Sequence, residues 1–139
     1  MTSNDNCAAQ TLWVDVNGLR VHCLAAGDGP SVLMLHGGGL DSARFTYRCT
    51  VGPLSEERRV FAPDLPGYGG SDKPDVERTV PFYVGFLGRL VDALRLEETS
   101  LVGLSVGGST GVRAPRPSGS RSWSWWTATA SVVRCPGGV

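Results

Sequence analysis

Two apolar runs in this chain each pass directly into a cluster of glycines: "SVLMLHGGG", Ser31 to Gly39, and "SLVGLSVGG", Ser100 to Gly108. A run that is apolar at successive positions suits a strand buried on both faces, as in a parallel sheet, because alternation is lost when neither face meets water. The glycines mark tight turns at the C-terminal ends of both strands. Between the two runs the spacing leaves room for crossover helices, which parallel neighbours require.

The rest of the order agrees. "TLWVDVNGLRVHCLAAG", from Thr11, predicts a β-hairpin. Leu12, Val14 and Val16 alternate with Trp13 and Asp15, as Leu19, Val21 and Cys23 do with Arg20 and His22. Asn17-Gly18 between them is the dipeptide of a two-residue type I′ turn. Residues 42–57 are expected to be helical, with Gly52-Pro53 as an interruption. "RRVFAPDLPGYGGSDKP" gives a short strand, Val60 to Ala62, and a long Gly/Pro loop. The clearest helix is "TVPFYVGFLGRLVDALRLEE": Thr79 caps it, Pro81 suits its first turn, and Val84, Leu87, Val91 and Leu94 share one face. The expected fold is α/β: a mostly parallel sheet with an N-terminal hairpin and helices on both faces. The expected organisation is a disordered stretch over 1–10, a partial domain over 11–112 and an aberrant, disordered tail over 113–139.

Two motifs carry chemistry. "GLSVGG" fits G-x-S-x-G with Ser105 central, the pattern of a serine presented on a sharp strand-to-helix turn where neighbouring side chains must be tiny. Gly103 and Gly107 supply that room, and the N–H of Val106 is then aimed at a developing oxyanion. A glycine-rich turn without chemistry has the same spelling. "HGGG", His36 to Gly39, follows a buried strand, and such a loop can place a second N–H at an oxyanion; Gly37 and Gly38 let the backbone approach a substrate carbonyl closely. A phosphate-cradling loop is the rival reading, but it calls for a lysine after the glycines, and Leu40-Asp41 follow instead.

"LMLHGGG", "FAPDLPGYGGSDKP" and "LVGLSVGG", in this order and spacing, resemble the α/β-hydrolase superfamily over roughly residues 12 to 110. Within it the chain looks most like the serine hydrolases that include carbon–carbon bond hydrolases of meta-cleavage products, proline iminopeptidases and small esterases. The resemblance implies Ser105 as nucleophile and oxyanion donors from Val106 and from Gly38 or a neighbouring glycine. It implies that His36 and Asp64 position loops. It implies a small-molecule substrate and no cofactor. Serine at position 105 disfavours the haloalkane dehalogenases and epoxide hydrolases of this superfamily, which carry aspartate there.

A serine hydroxyl needs a base, and the base needs an orienting acid. In this fold the acid and then the histidine follow the serine. The 34 residues after Ser105 contain no His, Asp or Glu. The two histidines, His22 and His36, both precede it; His22 is expected to face solvent from its strand. The chain is therefore expected to be a serine hydrolase by lineage with little or no activity of its own. The alternatives are a non-catalytic small-ligand-binding fragment and a half-domain completed by a second chain.

The tail explains the missing partners. Tryptophan has one codon, so "SWSWWT", Ser122 to Thr127, nearly fixes its DNA. Read one register over, the same bases give an apolar-Val-apolar-Val-Asp run, a buried strand ending in an acid. The expectation is a reading-frame slip between about Ser109 and Arg116 and an early end. The sheet then stops at its fifth strand with an open apolar edge, and no ordered structure is expected beyond about two turns after Ser105.

Composition narrows the partners. Thirteen basic and thirteen acidic residues leave no net charge, which argues against nucleic acid or an anionic membrane as a partner. Cys7, Cys23, Cys49 and Cys135 have no metal-site spacing and are expected to be unpaired thiols. The polar start "MTSNDNCAAQ" has no leader-like apolar core, and a cytoplasmic location is expected. No residue pattern specifies an oligomeric state.

Overall fold

The computed structural model describes residues 9–39, 41–104, 106–107 and 110, and the backbone of 122–127. The element order is β1 (Gln10–Val16), β2 (Leu19–Ala26), β3 (Ser31–Leu35), α1 (Ala43–Leu54), β4 (Arg59–Pro63), α2 (Val80–Ala93), β5 (Glu98–Gly103) and β6 (Ser122–Thr127). The strands form one sheet in the order β1-β2-β4-β3-β5-β6. β1 and β2 pair antiparallel, and β2 runs antiparallel to β4. β3 pairs in parallel with β4 and β5, and β5 with β6. The expected mostly parallel α/β sheet and its N-terminal hairpin are present. Asn17 and Gly18 have φ of 52° and 88°, both positive as a type I′ turn requires.

Period-two alternation divides the strands between two cores. Leu33 and Leu35 of β3, Phe61 of β4 and Leu101 of β5 face α2, against Tyr83, Phe86, Leu87, Leu90 and Val91. Val32 and Met34 of β3 with Val60 and Ala62 of β4 face α1, against Ala43, Tyr47 and Val51. The apolar runs are thus buried on both faces, and a helix covers each face.

Several local readings are corrected. α2 buries Tyr83 and Phe86 with Leu87, Leu90 and Val91, whereas Val84 and Leu94 lie at the margin. The stripe is rotated because the two aromatic rings offer more apolar area than Val84. α2 also stops at Ala93, and Arg95 takes a φ of 55°. α1 runs through Gly52-Pro53 and ends at Leu54. A proline in the last turn forfeits only one helical hydrogen bond, which a helix end tolerates better than its middle. Residues 1–8 of the stretch expected to be disordered lie outside the described residues, but β1 already begins at Gln10.

The largest correction concerns the tail. Residues 122–127 form β6, in register with β5 from Glu98↔Ser122 to Gly103↔Thr127. The expected open edge on β5 is therefore paired. Tryptophan and threonine favour extended backbone, and β5 presents a free row of N–H and C=O groups to a segment of that kind. The remainder of the 113–139 tail lies outside the described residues. Of the cysteines, Cys23 is free and buried, with burial pushing its thiol up to about 12. Cys49 is disulfide-bonded, against the expectation of unpaired thiols; sequence spacing does not show which thiols a fold brings together.

Candidate active site

Both glycine motifs leave the sheet at the same rim. β3 and β5 are parallel neighbours, with Leu35 opposite Gly103, so "HGGG" and the segment after Leu104 start side by side. The Leu104 N–H donates to the Leu35 carbonyl at 3.1 Å. Val106 and Gly107 continue in helical conformation, and the Gly107 N–H donates to the Leu104 carbonyl at 3.0 Å. Glycine is required at 107: a Cβ there would strike the Leu35 carbonyl oxygen and stand 2.7 Å from that of His36. That close approach is the room a sharp strand-to-helix turn demands. Ser105 itself lies outside the described residues.

The second motif reaches the first. A Cβ placed on Gly38 would lie 3.3 Å from Val106 Cγ2 and 3.5 Å from the Tyr68 hydroxyl. Two of the sequence-predicted donor residues, Gly38 and Val106, are thus brought together. Gly39 is exposed, with φ of 78° and nothing within 4 Å of a Cβ position. The neighbouring Gly37 N–H is already committed to Asp41 Oδ2 at 2.9 Å. Among the described residues the Gly38 and Gly39 N–H groups make no hydrogen bond.

Asp41 was not visible as a site residue in the sequence. Its carboxylate accepts from Gly37 N, from Ser42 N at 2.7 Å and from the Thr46 hydroxyl. It therefore ties the glycine loop to the start of α1, which Ser42 caps by accepting from Phe45 N. The only sequence signal was an acid just ahead of a capping serine.

His36 is fully buried. Its Nε2 accepts the Leu65 N–H at 2.9 Å, so the proton sits on Nδ1, which donates to the Gly37 carbonyl at 2.6 Å. Burial holds its pKa below the ordinary histidine value, outweighing the Gly37 carbonyl and the Asp41 and Asp64 charges. Both ring nitrogens are occupied, and the residue joins the glycine loop to the loop after β4.

His22 departs from the expectation of a solvent-facing residue. Its Nδ1 lies 3.0 Å from Asp64 Oδ2, and its ring meets Trp13 edge-on at 5.1 Å. The loop after β4 folds back over β2, so that Ser71 Oγ accepts the His22 N–H at 2.9 Å. Strand alternation alone does not anticipate such a cover. Asp64 also accepts from Ala43 N at 2.8 Å and from Gly70 N at 2.9 Å. This His–Asp pair has the makings of a base and its orienting acid, but it is remote from β5. β2 stands three strand steps from β5 in the sheet order, about 14 Å at the usual strand spacing of about 4.8 Å.

A family model for the alpha/beta hydrolase fold matches residues 30–115. The chain belongs to that family. It is similar to the 2-hydroxy-6-oxo-6-(2'-aminophenyl)hexa-2,4-dienoic acid hydrolase of Metapseudomonas resinovorans, with 33% identity over 102 residues, 72% of this chain and 35% of that protein. Among solved structures it is similar to a serine hydrolase involved in carbazole degradation, with TM-score 0.72 and 32% identity, covering 75% of this chain and 41% of the other. An epoxide hydrolase from Vigna radiata gives TM-score 0.68 and 33% identity, covering 74% of this chain and 34% of the other. All three of these relatives are hydrolases. The alpha/beta hydrolase chain spans about a third of the length of the curated relatives it matches. Among its described residues no group of three His, Cys, Asp or Glu side chains is placed to hold a metal ion, and no helix is long and apolar enough to cross a membrane.

Proposed function

We propose that this alpha/beta hydrolase chain carries the nucleophile and the oxyanion-binding elements of a serine hydrolase. Ser105 is the nucleophile, and the N–H groups of Val106 and of Gly38, with Gly39 as the neighbouring alternative, receive the oxyanion. The observation that carries the reading is the meeting of Gly38 with Val106 at the ends of two adjacent parallel strands, next to a Gly107 that admits no side chain. The substrate is a small molecule with an electrophilic carbonyl: an ester, or the carbon–carbon bond of a meta-cleavage-type product. Ser105 Oγ attacks the carbonyl carbon, its proton passes to a base, and the carbonyl oxygen takes the negative charge. No cofactor is needed. A cytoplasmic setting belongs to the same proposal, and cell fractionation tests it.

The base is not among these 139 residues. His36 has both nitrogens engaged, and His22 is about 14 Å from the end of β5. We therefore assign the chain little or no turnover as it stands. A non-catalytic small-ligand-binding role is the second reading, favoured by the same lack of a base; a half-domain completed by another chain is the third. The proposed cause is a reading-frame slip between Ser109 and Arg116. Its support is the "SWSWWT" codon argument.

A fluorophosphonate probe separates the readings. We expect no labelling of the chain alone. Restoring the shifted register with its downstream DNA should give Ser105-dependent labelling and p-nitrophenyl ester hydrolysis, both lost in Ser105→Ala. Labelling restored by a separate chain supports the half-domain. Failure of labelling in the repaired chain overturns the hydrolase proposal.

A further inference from the structure

Tyr68 is presented by a tight turn. Pro66 and Gly67 occupy its centre, Gly67 has φ of 93°, and the Tyr68 N–H closes it on the Leu65 carbonyl at 2.9 Å. This is a type II turn, with proline and glycine where each is favoured. The Tyr68 ring stands edge-on to the buried His36 ring, with centroids 5.1 Å apart and planes at 75°. Its hydroxyl reaches the place where Gly38 has no side chain, 3.5 Å from a Cβ position there, with Val106 Cγ2 at 3.3 Å on the other side. The side chain is half-buried. Tyr83 approaches from behind: its hydroxyl donates to the Pro66 carbonyl at 2.9 Å and is also in contact with the Tyr68 and Arg78 side chains. The Tyr83 proton is thereby committed to the Pro66 carbonyl, so the Tyr68 proton has two destinations, the Tyr83 oxygen behind it or a ligand oxygen beside Gly38.

We propose that Tyr68 is a specificity-determining residue whose hydroxyl hydrogen-bonds a substrate oxygen beside the Gly38–Val106 pair. This rests on the oxyanion reading of that pair. The ligand it selects is neutral in its ground state, a ketone or ester oxygen. The Asp41 and Asp64 carboxylates, which accept from Gly37, Ala43 and Gly70 N–H groups around the loop, disfavour an anionic group there, and the nearby cation Arg78 lies against Gly67 and Tyr83 rather than Gly38.

The test is titration of the full chain with acetophenone, a carbonyl acceptor, and with ethylbenzene, which lacks the oxygen, followed by amide chemical shifts. Acetophenone should perturb the Gly38 and Val106 amides and bind more tightly than ethylbenzene. Tyr68→Phe removes one oxygen and should weaken acetophenone about five- to tenfold, the effect of one hydrogen bond, while leaving ethylbenzene unchanged. Equal affinity of wild type and Tyr68→Phe for acetophenone, with the Gly38 and Val106 shifts retained, overturns the role of Tyr68 and leaves the oxyanion reading intact. Equal binding of the two probes to wild type also overturns the Tyr68 proposal, whatever the variant does. Absence of shifts at Gly38 and Val106 overturns both.

Discussion

The Leu35 carbonyl accepts the Leu104 N–H at 3.1 Å, which joins the ends of β3 and β5 one residue before Ser105. The same oxygen accepts the Tyr47 hydroxyl at 2.8 Å and lies against Gly107. Three segments therefore fix one backbone oxygen. Tyr47→Phe leaves Leu104 as a donor and should cost about 1 kcal/mol. Gly107→Ala drives a methyl into backbone oxygens that the sheet holds in place, and should cost about 3 kcal/mol or more. Gly38→Ala meets only the ends of the Val106 and Tyr68 side chains and should cost less than about 1.5 kcal/mol. Urea unfolding of the three variants gives the ranking; a Gly107→Ala protein as stable as Gly38→Ala contradicts the geometry of the turn.

His36 sets a pH dependence. Burial lowers its folded pKa below the unfolded value of 6.5, so between the two values the unfolded chain binds more protons. Its contribution to stability is fully present above pH 6.5 and is lost as pH falls toward the folded pKa. One proton gives a slope of at most about 1.4 kcal/mol per pH unit. His36→Gln keeps an acceptor for the Leu65 N–H and removes the titration. Urea midpoints between pH 7.5 and pH 5 should fall less steeply in His36→Gln than in wild type, and parallel curves count against this account.

The strands, the two covering helices and the meeting of the glycine motifs were legible because each has a local signature. Val32 to Leu35 is apolar without interruption, Thr79 caps a helix with proline in its first turn, and Asn17-Gly18 has one favoured turn. What escaped depends on contacts across the sheet. His22 reads as an outward strand residue until the loop after β4 covers it. Asp41 reads as a helix-start acid until Gly37 is seen to donate to it. Tyr68 sits in a loop of ordinary spelling, and only the tertiary path sets its hydroxyl beside Gly38. The strand at 122–127 escaped for a different reason: prolines, glycines and serines precede it and mask a six-residue extended segment.

Asp64 joins three segments: His22 on β2, Ala43 at the start of α1 and Gly70 in the loop. Asp64→Ala leaves the Ala43 and Gly70 N–H groups without this acceptor and should cost about 2–3 kcal/mol. A Cβ at Gly69 would collide with the same carboxylate, so the loop and the acid are fitted to each other. His22→Ala removes only a part-exposed pair and should cost about 1 kcal/mol or less. Hydrogen exchange discriminates a local from a global effect: in Asp64→Ala the Ala43 and Gly70 amides should lose protection more than those of β3. Uniform loss across the chain would place the role of Asp64 elsewhere.

The pairing of β6 with β5 makes a prediction about the tail. Residues 98–103 match 122–127 one to one along a parallel ladder. A chain ending at Thr110 lacks that partner and exposes the β5 edge, a row of unpaired N–H and C=O groups beside the buried Leu101. Each further 100 Å² of apolar surface left in water costs about 2.5 kcal/mol, against a total domain stability of about 5–15 kcal/mol. The shortened chain should therefore bind a hydrophobic dye more strongly, elute as aggregate in size-exclusion chromatography and lose its cooperative melt. The 139-residue chain should show the smaller dye signal and the sharper transition. Equal melting and equal dye binding of the two chains would mean that β6 adds nothing to the sheet, and that β5 is as stable at an open edge as beside a partner.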